Sequence, residues 1–524
     1  MRTTGRWWLA AALLLALALR LPGWFTQDYK DDWITFEPDE GQHVHAAIDR
    51  YNALHAGPDV HDYRGEPWNV RGYGHLMAYV ASGWYAAAGR PPIWRDFLLL
   101  GRQLSTLFAL LLVLVVFRIG REGGLSPPAA GAAAVLLAAC DANATISHYC
   151  LPASGYVFWC YLAVLGALLL RRRTLGLLLL ALGAAGSVAF KFDVLPLAWG
   201  GLLLLTFALS RRIPWWYVPV GSALVLSFVG LAWYGWEWDS IVATFRGLRR
   251  LNAEGVPVDD HWRDNLVVYP AGVLAGIGLP VFGLAIYGLR QLFLGGGAGA
   301  KKGTKEQGWS VRRWLLIYLT GWLLSEFLVR WSVDTAFIRR VNVFMPAVCL
   351  LAAVALHRLG RRPWLTPAVL AYTIAFALVG QSNHWFDTRY AAREFINNEL
   401  PRDANVGISG YVDHKGMRRT RFFHDTDWDY AVLHETYYSR YWKSMTTPFG
   451  LPECCAEVYN CKEKQCPAVQ ALLTGTDPSA RLLREFRPLR LFPERIAYAH
   501  LFGNYETFLG SVLIFERTDL PGRR

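Results

Sequence analysis

Apolar residues in this chain come in long blocks, and that feature restricts the fold more than any other. Stretches such as 97–117 and 174–190 carry at most one charge, over the roughly 17–25 residues that a helix needs to cross a bilayer. A half-buried strand or a soluble amphipathic helix would show alternation or three-to-four-residue spacing instead. The chain has 524 residues, 53% hydrophobic and 18% charged. Length alone would suggest about three soluble domains, and the block pattern overrides that. Abundant Trp and Tyr, 23 and 24 of each, suit the headgroup level of a membrane.

The formal charge of +12 points to a membrane surface rather than to nucleic acid. Its basic clusters, Arg171-Arg172-Arg173, Arg211-Arg212, Lys301-Lys302, Arg312-Arg313 and Arg358 with Arg361-Arg362, sit in short gaps between apolar blocks. That is the positive-inside pattern of cytoplasmic loops, and no basic face with interleaved aromatics accompanies it. About eleven spans are expected near 7–22, 97–117, 128–146, 151–170, 174–190, 194–210, 214–234, 268–292, 314–331, 341–357 and 364–381. The first follows Arg2 and Arg6 like a signal peptide, but bulky Pro22-Gly23-Trp24-Phe25 is no cleavage site, so it reads as an uncleaved span. With the N-terminus inside, every basic cluster falls on the cytoplasmic side. Residues 23–96, 235–267, 332–340 and 382–524 then lie outside. The weakly apolar segment 72–89, interrupted by His75 and glycines, is expected to be interfacial or re-entrant. The fold class is therefore mainly α. It is a polytopic membrane helical bundle over 1–381, with a small extracytoplasmic α/β domain over 382–524, set in the plasma (inner) membrane.

Residues 293–313 read as a flexible basic linker. In the tail, 387–400 reads as an amphipathic helix stopped by Pro401. Val406–Val412, Tyr430–Leu433 and Ser511–Phe515 read as strands. Cys140, Cys150, Cys160 and Cys349 lie in or beside spans as small packing residues. Cys454, Cys455, Cys461 and Cys466 cluster in the tail, where two disulfides are expected with three connectivities open. Adjacent Cys454-Cys455 is poor spacing for the rival zinc site.

Charged residues at membrane depth are costly and invite a functional reading. After the first span come Asp39, Glu40, His43 and His45. If the chain turns helical after Pro38, Asp39, His43 and Glu40 share a face. The bland reading is that the two acids complement a helix dipole. His43 and His45 beside Asp39 permit a divalent metal without requiring one. Arg102, Asp141, His148, Lys191, Arg339 and Arg340 lie near outer span ends. Each has a structural alternative in snorkelling or a local ion pair, such as Lys191 with Asp193. Together they put carboxylates and cations on one side, as an anionic lipid would need. No Walker loop, dinucleotide fingerprint, GxSxG or HExxH is present.

The chain resembles membrane glycosyltransferases of the C-type superfamily, in the branch of protein O-mannosyltransferases and the lipid A aminoarabinose transferase. The resemblance is carried by FEPDEGQHVHAA, GRQLSTLFALLLVLVVFRIGRE, ISHYCLP and FIRRVNVFMPAVCLLAAVAL, with AAREFINNELPRDANVGI and DYAVL in the tail. It implies transfer of a sugar from a polyprenyl-phosphate carrier to an acceptor hydroxyl of a protein, lipid or glycan at the outer face. Asp39 is then the general base, and Glu40 positions the acceptor or orients Asp39. Arg102, His148, Lys191 and Arg340 bind the donor phosphate, with His43 and Asp141 in acceptor handling or support. The departure is that related bacterial chains often carry an Asp after the Ser-His-Tyr stretch. Here the sequence reads Cys150-Leu151-Pro152-Ala153-Ser154, so Asp141 substitutes only if it faces the same cavity. A lipid-linked-sugar transporter or flippase and a non-catalytic membrane scaffold are the rivals. The clustering of polar residues at one face and the large outer tail weigh against a transporter.

Overall fold

The computed structural model describes residues 2–21, 24, 39–56, 68–89, 91–170, 174–191, 195–232, 261–294, 320–325, 327, 341–360, 362, 364–410, 412, 420–422, 427–435, 437–438, 466–502 and 510–518. Its helices open with α1 (Arg2–Arg20), α2 (Asp39–Ala56), α3 (Trp68–Ala88) and the long α4 (Trp94–Glu122). A pair, α5 (Pro127–Ala138) and α6 (Asp141–Ser147), leads to α7 (Ala153–Leu169), α8 (Leu175–Lys191), α9 (Leu195–Leu209) and α10 (Tyr217–Ala232). A second pair, α11 (His261–Ile277) and α12 (Leu279–Leu294), precedes α13 (Met345–Arg358) and α14 (Leu365–Trp385).

Local chemistry accounts for several starts. Ser126 caps α5 by accepting from Ala129 N, ahead of Pro127 in the first turn, where the missing N–H costs nothing. Asp96 accepts from Ile93 N at 3.0 Å at the start of α4. Alanines 12 and 16 of α1 and 130 and 132–134 of α5 are buried in one core; small residues let backbones approach where lipid gives no hydrophobic drive between helices. Outward-facing Leu107, Leu202, Leu209, Leu226 and Ile286 are exposed, a surface suited to acyl chains rather than water.

Among the described residues, Trp94–Glu122 and the run Leu365–Asn398 are each long and apolar enough to cross a membrane. Two bent pairs make four if each is one span. Several shorter apolar helices of 10–17 residues join them. Segment 72–89 is helical up to Ala88 within α3, which packs along α2. The segment expected as a span over 268–292 is broken between Ile277 and Leu279, with a bend of 118° between its halves. Gly278 sits there at φ +87, a left-handed conformation that favours a residue without Cβ. Pro280 then suits the first turn of α12. The span expected over 128–146 also bends, by 54° between α5 and α6.

In the tail, α15 (Thr388–Asn398) starts at Asp387, whose carboxylate accepts from Arg389 N at 2.9 Å, and ends before Pro401. The sheet runs β2-β1-β3-β5-β4, with β1 (Val406–Ile408), β2 (Thr420–Phe422), β3 (Tyr430–His434), β4 (Ala480–Phe486) and β5 (Val512–Arg517). Strands β2 and β3 pair parallel to β1, while β5 pairs antiparallel to both β3 and β4. Alternation divides β3 between two cores. Tyr430 and Val432 pack with Ala392 and Ile396 of α15, and Ala431 and Leu433 with Val469 and Leu472 of α16 (Cys466–Thr474). The three expected strands appear as β1, β3 and β5. Strands β2 and β4 were not expected, because TRF is too short and ARLLREF carries charges without period-two alternation. Cys454, Cys455, Cys461 and the side chain of Cys466 lie outside the described residues, as does most of the basic linker.

One more helix, α17 (Pro493–Phe502), joins the two parts. Glu494 accepts from Leu279 N at 2.9 Å and from Tyr372 Oη at 2.5 Å, so a carboxylate from the tail caps the positive end of α12. A Cβ on Gly278 would lie 2.9 Å from Tyr372 Cε1. Gly278→Ala therefore combines left-handed strain with crowding, and should lower stability by about 1–3 kcal/mol, read as a lower thermal midpoint of the purified protein in detergent. An unchanged midpoint would mean that the break relaxes without cost.

Candidate functional site

Glu40, in the first turn of α2, and Arg102, in the apolar α4, are both fully buried. The carboxylate takes Arg102 Nε at 2.9 Å and Nη2 at 2.8 Å. The Cys150 amide, in the turn between α6 and α7, donates to the same carboxylate at 2.7 Å. A planar guanidinium matches a carboxylate in this two-pronged way and makes the strong form of the bond. Three segments thus meet at one carboxylate. Tyr73 of α3 reinforces the meeting: its hydroxyl donates to Gly101 O and accepts from Ser105 Oγ at 2.8 Å, with Ser105 Oγ also 3.1 Å from Leu151 O.

A second polar seam begins at the bend between α5 and α6. Asp141, fully buried, forms an ion pair with Arg495 of α17. Gln381, near the end of α14, donates through Nε2 to Asp141 Oδ1 at 2.8 Å and to Thr145 Oγ1 at 3.2 Å. Its Oε1 meets His148 Nε2 at 2.5 Å. The ring of His384 lies 4.8 Å from that of His148. Gly380 leaves the room, since a Cβ there would collide with the Asp141 carboxylate. On the far side of the bend, Arg20 donates to Ala138 O at 3.1 Å and Asn143 Oδ1 at 2.8 Å. It thereby takes up a backbone carbonyl exposed where the helix breaks. His148 and Cys150 sit two residues apart in one turn, so that turn joins the two seams.

The structure therefore brings Glu40 to Arg102, and Asp141 to His148 through Gln381. His43 is buried edge-on against Tyr73 with centroids 5.9 Å apart. His45 is exposed, because residues two apart on a helix point to nearly opposite faces. The two rings do not converge on a metal, and among the described residues no group of three or more His, Cys, Asp or Glu does so. Lys191 is half-buried at the end of α8, with Nζ 5.1 Å from the Tyr156 ring centroid. Asp39 opens α2, and its side chain, like the whole of Arg339, Arg340 and Asp193, lies outside the described residues. Sequence reasoning missed Gln381, His384, Arg495, Arg20 and Asn143. Gln381 and His384, one turn apart in the last apolar block, were detectable as polar groups at membrane depth. Arg495 carried no such signal, since an Arg in a charge-rich tail is ordinary.

Removing one partner of a buried ion pair leaves an uncompensated charge and typically costs about 3–5 kcal/mol, whereas apolar replacement of both is far milder. Glu40→Ala should therefore unfold at markedly lower temperature than wild type. The double variant Glu40→Met with Arg102→Met should recover most of the loss. Equal midpoints for single and double variants would show that the pair contributes no coupling.

No family model and no curated protein matches the chain. Among solved structures, it is similar to ArnT from Cupriavidus metallidurans in the apo state, with 14% identity, a TM-score of 0.48 and 77% of this chain aligned to 83% of that one. It is also similar to the same protein bound to undecaprenyl phosphate, at 12% identity and TM-score 0.48, over 98% of this chain and 99% of that one. A third is the archaeal oligosaccharyltransferase AglB from Archaeoglobus fulgidus in complex with an inhibitory peptide and a dolichol-phosphate, at 12% and 0.47, over 98% and 88%. At these values the likeness is distant, and the functional reading below rests on the residues of the site.

Proposed function

We propose that this chain is a membrane glycosyltransferase that moves a sugar from a polyprenyl-phosphate donor to an acceptor hydroxyl, with Asp39 as general base. The acceptor hydroxyl must lose its proton as it attacks the anomeric carbon, and an ionised Asp within hydrogen-bond reach takes it. The observation that carries the reading is the clamp on Glu40. With both Glu40 oxygens engaged by Arg102 and one also by the Cys150 amide, Glu40 anchors the start of α2. Of the adjacent pair, Asp39 is then the carboxylate assigned to proton transfer, and Glu40 holds its backbone in place.

The departing lipid phosphate stays an anion and needs fixed cations rather than an acid. Lys191 and Arg340 take that role in this reading, since the Arg102 charge faces Glu40. The acceptor is a hydroxyl of a protein, lipid or glycan. The reading includes about eleven spans, the N-terminus inside, and the α/β tail on the extracytoplasmic side of the plasma (inner) membrane. Residues 1–381 form the transferase part and 382–524 the tail domain. Broken helices also occur in transporters, where half-helix N-termini face the substrate. Here the N-terminus of α12 is filled by Glu494 of the same chain, which favours the enzyme.

Purified protein supplied with radiolabelled polyprenyl-phosphate sugars should transfer or hydrolyse the label. Asp39→Asn should reduce the rate by about 10²–10⁴-fold with an unchanged thermal midpoint. Full activity in Asp39→Asn would remove the proposed base, and donor binding without turnover in wild type would point to a transporter or scaffold.

A further inference from the structure

The hydrogen-bond directions in the second seam assign the protons on His148. Asp141, ionised against Arg495, accepts and does not donate. The Gln381 atom facing it is therefore the amide nitrogen, as the 2.8 Å contact has it. That orientation turns Gln381 Oε1 toward His148 Nε2 at 2.5 Å. A carbonyl oxygen only accepts, so Nε2 carries the hydrogen. In a neutral imidazole the other nitrogen is then a bare acceptor. His148 Nδ1 is buried and has no hydrogen-bond partner among the described residues. Buried polar atoms in native proteins nearly always have one, so this atom points to something that binds.

We infer that Arg495, Asp141 and Gln381 form a positioning relay that fixes His148 as the Nε2–H tautomer, so that Nδ1 accepts a hydrogen bond from a hydroxyl of the bound sugar or acceptor. The inference rests on the glycosyltransferase reading for the identity of that hydroxyl, but not for the tautomer. It moves His148 away from the donor phosphate. A phosphate oxygen needs a donor, and with Nε2–H committed to Gln381 only an imidazolium could supply one from Nδ1. It also moves Asp141 away from contact with substrate. Both of its oxygens face the protein, Oδ1 toward Gln381 and Oδ2 toward Arg495, so Asp141 acts through Gln381.

The relay also couples the tail to the membrane part. Arg495 comes from α17 of the tail, and its Cζ sits 4.3 Å from the Phe376 ring centroid of α14. The neighbouring Glu494 caps α12. The helix that places Arg495 is thus seated at both helix breaks, and His148 is oriented only while the tail is docked.

Two measurements test this on the full-length protein in nanodiscs. The first is the nitrogen spectrum of ¹⁵N-histidine-labelled protein, with His148 assigned by difference against His148→Gln. Wild type should show a protonated Nε2 and an unprotonated Nδ1. Gln381→Leu, which removes the acceptor facing Nε2, should populate both tautomers, and Arg495→Lys should keep the wild-type pattern. The second is kinetic and compares two replacements that each keep one ring position. The amide oxygen of His148→Asn can stand in for Nδ1, and the amide nitrogen of His148→Gln for Nε2–H. Asn should therefore retain about 10-fold more kcat than Gln, and Gln381→Leu should lose about 10- to 100-fold, the range seen when the orienting partner of a metal-bound His is removed.

A proton on Nδ1 in wild type would overturn the relay, as would an unchanged spectrum in Gln381→Leu. Equal loss in the two His148 replacements, or Nδ1 filled by one ordered water with and without donor, would overturn the hydroxyl contact. If wild type turns over no polyprenyl-phosphate sugar, the glycosyltransferase reading fails while the spectra still decide the relay.

Discussion

The ion pair between Asp141 and Arg495 is the interaction on which most of the described architecture depends. A carboxylate at the bend of an apolar helix pair has no water to solvate it, and burying it alone would cost several kcal/mol. The cation comes from the C-terminal α/β part, more than three hundred residues further along the chain. This arrangement makes the docking of the tail a condition for burying the acid, and it makes the bend between α5 and α6 tolerable. Gly380 leaves the space for the pair, and Gln381 beside it passes its orientation to His148.

Glu40 and Arg102 solve the same problem at the other seam, with both partners inside the helical part. The bond is bidentate and is joined by the Cys150 amide, so the charge is matched and its geometry set. Arg102 shows what residue type leaves open. An Arg in an apolar block suggests a phosphate ligand, and the partner that the structure shows for its guanidinium is a carboxylate in the first turn of α2. The two seams share the turn that holds His148 and Cys150, and a shift in either would move that turn.

The helix breaks follow one logic. Each exposes backbone groups that a continuous helix would bond internally, and lipid cannot satisfy them. Arg20 takes the Ala138 carbonyl, and Glu494 takes the Leu279 amide. Polar side chains in an apolar bundle are thus explained by the breaks they repair as much as by the ligand they face.

Local patterns determined the helical class, the block lengths, the amphipathic helix ending before Pro401, and strands β1, β3 and β5. These depend on periodicity and on residues close in sequence. The acidic pair Asp39-Glu40 was also legible as costly, because carboxylates beside an apolar span need a partner, and for Glu40 the structure shows that partner to be Arg102. The bend at Gly278, the edge strand β4 and the partners of Arg102, Asp141 and His148 were decided only by tertiary structure. A single Gly in an apolar block reads the same whether the helix continues or turns by 118°. Charge matching over hundreds of residues leaves no local trace, because which cation reaches a buried carboxylate depends on where the whole chain places it.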